Sequence, residues 1–143
     1  MSAASPRVPT RSTSGETVAE GAQVWLIPDG YLPEASQGDQ LSHEAICVLN
    51  TGTRDATLRI TFYFEDRPPV RDVLVVVPAE RTRHIRTDQP DQLGGNALPR
   101  GVPYAVRVAS DRAVVVQHSR LDTSAPALAL MTTLAHPVRP SHP

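Results

Sequence analysis

The chain is 143 residues long, enough for one hydrophobic core and too short for two of useful size. Its formal charge of −1 gives no overall attraction to phosphate, which argues against generic nucleic-acid or anionic-membrane binding. Fourteen prolines leave little room for long helices, and with only two Phe, three Tyr and one Trp the core must be filled by Val, Leu, Ile and Ala, a composition that favours strands.

Residues 1–22 are rich in Ser, Thr, Pro and Gly, and they hold too little apolar surface to offset their own ordering entropy. A disordered tail is expected there. It carries Arg7 and Arg11 but no apolar h-region, and no run of eighteen apolar residues follows, so neither a secretion signal nor membrane insertion is expected. The domain proper is expected over residues 23–135, with a Pro-rich tail over 136–143.

Inside those limits, short apolar segments alternate with turn chemistry. Val24 to Ile27 reads as a strand ended by a turn at Pro28-Asp29-Gly30. Ala45 to Leu49 is apolar on both faces, as a central strand would be, and Cys47 within it is expected as a buried core thiol. As the single cysteine it rules out an intrachain disulfide and fits a reducing compartment, so a cytoplasmic location is expected. Thr57 to Glu65 alternates, with Leu58, Ile60, Phe62 and Phe64 facing the core and Thr57, Arg59, Thr61 and Tyr63 facing away.

Val73 to Val77 and Arg81 to Thr87 follow as strands, and residues 88–103 form the longest internal loop. Tyr104 to Ala109 and Ala113 to Leu121 read as two strands joined by a turn at Ser110-Asp111-Arg112. Ala127 to Ala135 suits a strand by its alternation and a helix by its Ala and Leu content, with strand preferred for the Thr pair. About seven strands with frequent turns make an all-β fold, a single-domain sandwich or barrel.

Candidate functional groups are few. His84-Ile85-Arg86-Thr87-Asp88 and His118-Ser119-Arg120-Leu121-Asp122 both spell His-x-Arg-x-Asp, and period two puts the three polar groups of each on one face. They suit either Arg–Asp ladders that hold neighbouring strands in register or a ligand pocket at the core's edge. Ser42-His43-Glu44 resembles a triad in composition, but on a strand His43 faces away from Ser42 and Glu44, so no relay forms among them. The histidines lack metal-ligand spacing, and no phosphate loop or hydrolase elbow is present, so no cofactor, metal or catalytic residue is expected. Trp25 and Tyr31 flank the acidic turn at Asp29, and they suit either a stacking platform for a sugar or a core Trp with a rim Tyr.

Five blocks in fixed order carry a resemblance: Val24-Trp25-Leu26-Ile27-Pro28-Asp29-Gly30-Tyr31-Leu32-Pro33, Ser42-His43-Glu44-Ala45-Ile46-Cys47-Val48-Leu49-Asn50, Tyr63-Phe64-Glu65-Asp66-Arg67, His84-Ile85-Arg86-Thr87-Asp88, and Gln117-His118-Ser119-Arg120-Leu121-Asp122-Thr123. Together they resemble the sensory rhodopsin transducer family. The resemblance implies a β-sandwich with jelly-roll-like topology, a homotetramer, a soluble cytoplasmic role, and a microbial sensory rhodopsin as partner. It also implies kinship with small-molecule binders whose ligands are sugars or sugar-like. The function expected is therefore a signalling module that binds a small molecule through Trp25, Asp29, Tyr31, His43, Glu44, His84, Arg86, Arg120 and Asp122. The alternative is a protein-interaction adaptor that docks on a sensory rhodopsin or a transcription complex without a small ligand.

Overall fold

Period-two patterning becomes strand pairing throughout the computed structural model, which describes residues 18–141; the expected N-terminal tail lies, up to residue 17, outside them. The elements are β1 (Ala22–Gly30), β2 (His43–Asn50), β3 (Ala56–Phe64), β4 (Val70–Val77), β5 (Arg81–Arg86), β6 (Tyr104–Asp122), β7 (Ala129–Leu134) and β8 (His136–Pro137). A single 3-10 helix, Pro90–Leu93, interrupts the β5–β6 loop. Every pairing is antiparallel. One group of strands runs β4-β3-β6-β1-β8, and the other runs β5-β2-β6-β7.

The core lies between these two groups, as the all-β sandwich expectation requires. Ile60, Phe62 and Val108 of the first group share one buried cluster with Ile46, Ile85 and Val116 of the second. The β3–β4 hairpin belongs to the first group, whereas β2 and β5, which flank it in sequence, pair with each other in the second.

The expected turn at Ser110-Asp111-Arg112 does not form. Tyr104 to Asp122 is one 19-residue strand whose first part pairs with β1 and β3 and whose last part pairs with β2 and β7. The polar side chains that suggested a turn instead secure the passage between sheets. The Asp111 carboxylate accepts the Thr57 backbone N–H at 2.8 Å, and Arg112 Nε donates to the Asp55 carbonyl at 3.1 Å. On the core side the Trp25 indole N–H donates to the carbonyls of Val114 at 2.9 Å and Ala22 at 3.0 Å. Gly21 allows this approach: it has φ +98°, and a Cβ there would sit 2.1 Å from the Val114 carbonyl oxygen.

Pro28-Asp29-Gly30 also departs from expectation, because β1 continues through it with a slip in register against β6 between Ile27 and Gly30. The missing Pro28 donor is tolerated because β8 pairs only with Trp25 and Leu26, so no ladder bond is lost on that side. Cys47 is not in the core either. Ile46 and Val48 take the inner positions, which sends the thiol to the outer face, half-buried, with Sγ 3.9 Å from Ser119 Oγ. Residues 129–134 are a strand, which settles the strand-or-helix alternative. Within the expected C-terminal tail, His136 and Pro137 pair with β1 as a two-residue edge, a place where Pro removes no needed donor.

On β3, Leu58, Ile60 and Phe62 are fully buried and Phe64 is half-buried, while Thr57, Arg59 and Tyr63 face solvent. Thr61 faces away from the core as expected yet is buried, because it lies opposite Arg107 on β6 and beside the irregular stretch of β4 between Val70 and Val73. Phe62→Ala should therefore cost about 3–5 kcal/mol of unfolding free energy, and Tyr63→Ala, a residue 37% exposed, under about 1 kcal/mol. Urea titration of the two variants checks this; equal losses would contradict the assigned faces.

Candidate functional site

The parity that denies Ser42-His43-Glu44 a relay sets up the main polar site. Ser42 and Glu44 are buried while His43 turns to the other side, where its Nδ1 lies 2.8 Å from the Leu41 carbonyl. Ser42 Oγ accepts the Thr123 backbone N–H at 2.9 Å and lies 3.1 Å from Thr123 Oγ1, so it ties the end of β6 to the loop before β2.

Glu44 is the costly residue, since an ionised carboxylate in a core is tolerated only when donors replace its water. Oε1 receives the Tyr31 backbone N–H at 2.8 Å and Arg120 Nε at 2.5 Å. Oε2 receives the Tyr104 hydroxyl, whose oxygen is also 3.1 Å from Thr87 Oγ1. His118 Nε2 lies 3.1 Å from Oε2 but is not aligned as a hydrogen bond, so both nitrogens of this buried ring lack a hydrogen-bond partner. Burial works to raise the Glu44 pKa, and the contact with His118 followed by the bonds from Tyr104, Tyr31 and Arg120 outweighs it, so the carboxyl is held below its ordinary range. Burial first, and then the adjacent carboxylate, push the Tyr104 phenol well above its ordinary value and keep it a neutral donor. Gly30 opposite Tyr104 makes room for this ring, since a Cβ there would fall 2.4 Å from Tyr104 Cε2.

Arg120 bridges core and rim: its Nη2 reaches Asp29 Oδ1 at 3.4 Å, and the Asp29 side chain is 75% exposed. A second cluster stands on the β5 side. Arg86 grips Asp88 through two bonds of 2.8 Å, and Arg100 approaches the same carboxylate at 3.9 Å while donating to the carbonyls of Pro33 and Ser42 at 3.0 and 2.9 Å. Burial tends to raise the Asp88 pKa, but Arg86 prevails and holds it low.

The two His-x-Arg-x-Asp segments do not converge. Both flank β2, where Ile46 is paired with Ile85 on one side and His118 on the other. Residues paired across a sheet share a face, so His118 points inward with Ile85, while His84 and Arg86 point outward with Cys47 and Ala45. One residue of offset therefore places identical motifs on opposite sides of the sheet. The Arg–Asp ladder alternative also changes form: Arg86 pairs within its own motif, whereas Arg120 pairs with Glu44 and Asp29.

Of the nine candidate side chains, Glu44, Arg120 and Asp29 come together, joined by the backbone of Tyr31. Trp25 is a core residue with its indole N–H engaged, which leaves no stacking platform. His84 is exposed on the outer face, and the Asp122 carboxylate caps its own turn by accepting from Ser124 N and Oγ. Tyr104, Thr87 and Arg100 were missed. Tyr104 was legible in part, because it has the same parity as Val106 and Val108 and must therefore place a phenol in the core. A groove of about 550 Å³ does exist, but it lies at the far end of β2 around Asn50, Arg54 and Arg112, with none of the nine residues in its lining. Among the described residues, no three His, Cys, Asp or Glu side chains converge on a point where a metal ion would sit.

Comparison with known proteins gives a family and two similar structures. Residues 20–137 match the family model described as Anabaena sensory rhodopsin transducer. The crystal structure of Thermotoga maritima 1070 is similar, with 39% identity, 85% of this chain and 99% of that chain covered, and a TM-score of 0.75. The Anabaena sensory rhodopsin transducer is similar with 38% identity over 73% of this chain and 92% of that one, and a TM-score of 0.64. No curated protein sequence matches.

Because the Glu44 pKa is depressed in the folded state, its contribution to stability is present above the ordinary value of 4.5 and is lost as pH falls through the folded value. Glu44→Gln should lower stability at pH 7 by about 3 kcal/mol or more, since it leaves Arg120 facing a neutral partner in a buried site. It should also flatten the loss of stability between neutral and acidic pH. Urea midpoints measured across that range for both proteins check this, and identical acid limbs would remove Glu44 from the account.

Proposed function

Because this chain belongs to the Anabaena sensory rhodopsin transducer family, we propose that it is a transducer-like, non-catalytic signalling module that works through protein contacts as a homotetramer. The proposed partner is the cytoplasmic face of a microbial sensory rhodopsin. No helix among the described residues is long and apolar enough to cross a membrane, so on this reading it reaches that partner from the aqueous side. The observation that carries the proposal is the closure of the polar network. The groups best suited to hold a small molecule already hold one another: Glu44 takes bonds from three parts of the chain, and Arg86 is committed to Asp88. Large apolar side chains such as Leu130 and Leu134 stand exposed instead, which is how a protein-contact surface differs from a filled core.

A second role, binding of a small polar molecule such as a sugar, is favoured by one feature. Arg120 reaches Asp29 only over a long contact, and both groups lie at the rim beside Tyr31. A ligand hydroxyl or carboxylate could displace that contact while the bond to Glu44 stays in place.

Light scattering should return a mass near four times the 15.5 kDa chain, and the protein should co-sediment with nanodiscs that hold a sensory rhodopsin but not with empty ones. Equal recovery with empty and loaded discs would count against the partner. The ligand role is checked separately by thermal shift with a panel of sugars and sugar acids. A ligand at about 100 times its Kd adds roughly 2.7 kcal/mol, a shift of several degrees for a domain of this size. A flat panel on folded wild-type protein would eliminate that role and leave the protein-contact role intact.

A further inference from the structure

Among the described residues, the only buried side-chain nitrogens or oxygens without a hydrogen-bond partner are the two ring nitrogens of His118. The residue is 1% exposed and stands on the inner side of β6, paired with Ile46 of β2 and Thr133 of β7. The charged and titratable groups around it come from three strands. Glu44 of β2 brings Oε2 to 3.1 Å from His118 Nε2, and Tyr104 of β6 donates to that same oxygen. Arg120, two residues along β6, holds the other Glu44 oxygen and reaches Asp29 of β1. β7 reads Ala-Leu-Met-Thr-Thr-Leu and brings no charge. On β5, His84 and Arg86 point to the other side of the sheet and Arg83 is bonded to the Val76 carbonyl, while core residues of the facing strands such as Ile27 and Val106 are apolar.

With a neutral imidazole the charges of this cluster do not balance, because two carboxylates, Glu44 and Asp29, share the single cation Arg120. A proton on His118 supplies the missing cation, and the cluster then divides into two ion pairs. We propose that His118 is a proton-operated switch that sets where Arg120 is held. With the ring neutral, Arg120 is committed to Glu44. With the ring protonated, His118 pairs with Glu44 and the guanidinium shifts toward Asp29, which it now meets only at 3.4 Å. Little movement is needed, since Nε2 is already within bonding distance of Oε2 and lacks only alignment. Nδ1 finds no partner in either state, so the gain lies at Nε2. An imidazolium in a core is tolerated only against a carboxylate, and Glu44 supplies one. The other members of the cluster do not take this proton. Burial works to raise the Glu44 pKa but is outweighed by its donors, so that carboxyl stays ionised, and burial followed by Glu44 itself keeps Tyr104 neutral. Arginine remains charged throughout, whereas histidine is the side chain whose charge ordinarily changes between pH 5 and 8.

The switch depends on neither the oligomer nor the ligand proposed above, and nuclear magnetic resonance on the isotopically labelled full chain tests it. From pH 8 to pH 5 the carbon-bound ring protons of His118 should pass through one titration step, and the Arg120 Nε–H signal should move with the same midpoint. Asp29→Asn, at a side chain 75% exposed, removes the carboxylate that is to receive Arg120. At the wild-type midpoint it should lower the protonated fraction of His118 from one half to about a third or less. Glu80→Gln, at an exposed turn beside Gly52 at the far end of β2, should leave that fraction unchanged. A His118 signal that stays still across the range, an Arg120 signal that does not follow it, or an Asp29 variant that titrates like the Glu80 variant overturns the switch. Loss of the native circular dichroism before the His118 step overturns it too, because both states must be folded. The two wild-type signals decide the matter should Asp29→Asn misfold.

Discussion

A carboxylate on the inner face of a sandwich must collect donors from its surroundings, and those that Glu44 collects come from distant parts of the chain. Tyr104 opens β6 and Arg120 lies near its end, yet both reach the same carboxyl group. At about 3.3 Å per residue, a straight strand would hold them roughly 50 Å apart. β6, though continuous, must therefore bend between them, and the contacts at its middle, from Trp25, Asp111 and Arg112, hold that bend. Glu44 closes the loop that the corner opens, and the sheet-to-sheet geometry depends on both.

This arrangement explains why polar residues that suggest a binding site form a structural junction. Each Glu44 oxygen is occupied, Tyr104 is kept neutral by its burial and then by its neighbour, and the second cluster closes in the same manner around Asp88. Such networks are stable when every member is satisfied and costly when one is not. His118 is the exception, a buried imidazole ring held against Oε2 with neither nitrogen bonded, on the strand that β7 joins.

The all-β class, the extent of most strands and the inward set on β3 were legible because they depend on local alternation of apolar and polar residues, and the chain has no long segment free of Pro or turn residues for a helix. Family kinship was legible from blocks of residues in fixed order, and the match over residues 20–137 agrees with it. Glu44 and Arg120 were legible as candidates because charged groups in apolar strands need partners.

What alternation leaves open is which face is inward, and only the partner strands decide that. A period of two fixes which residues share a side, but the register of β2 against β5 and β6 put Arg86 outside, Arg120 inside and Cys47 on the surface. The same limit explains the turn misread at 110–112. Ser, Asp and Arg favour a turn when their own backbone is the available partner, but here Thr57 and Asp55, distant in sequence, supply the bonds, and the strand continues. Composition and period determined that this protein is built of strands, whereas the sharing of β6 between two sheets, and with it the meeting of Glu44, Tyr104 and Arg120, arose from long-range pairing that no local pattern encodes.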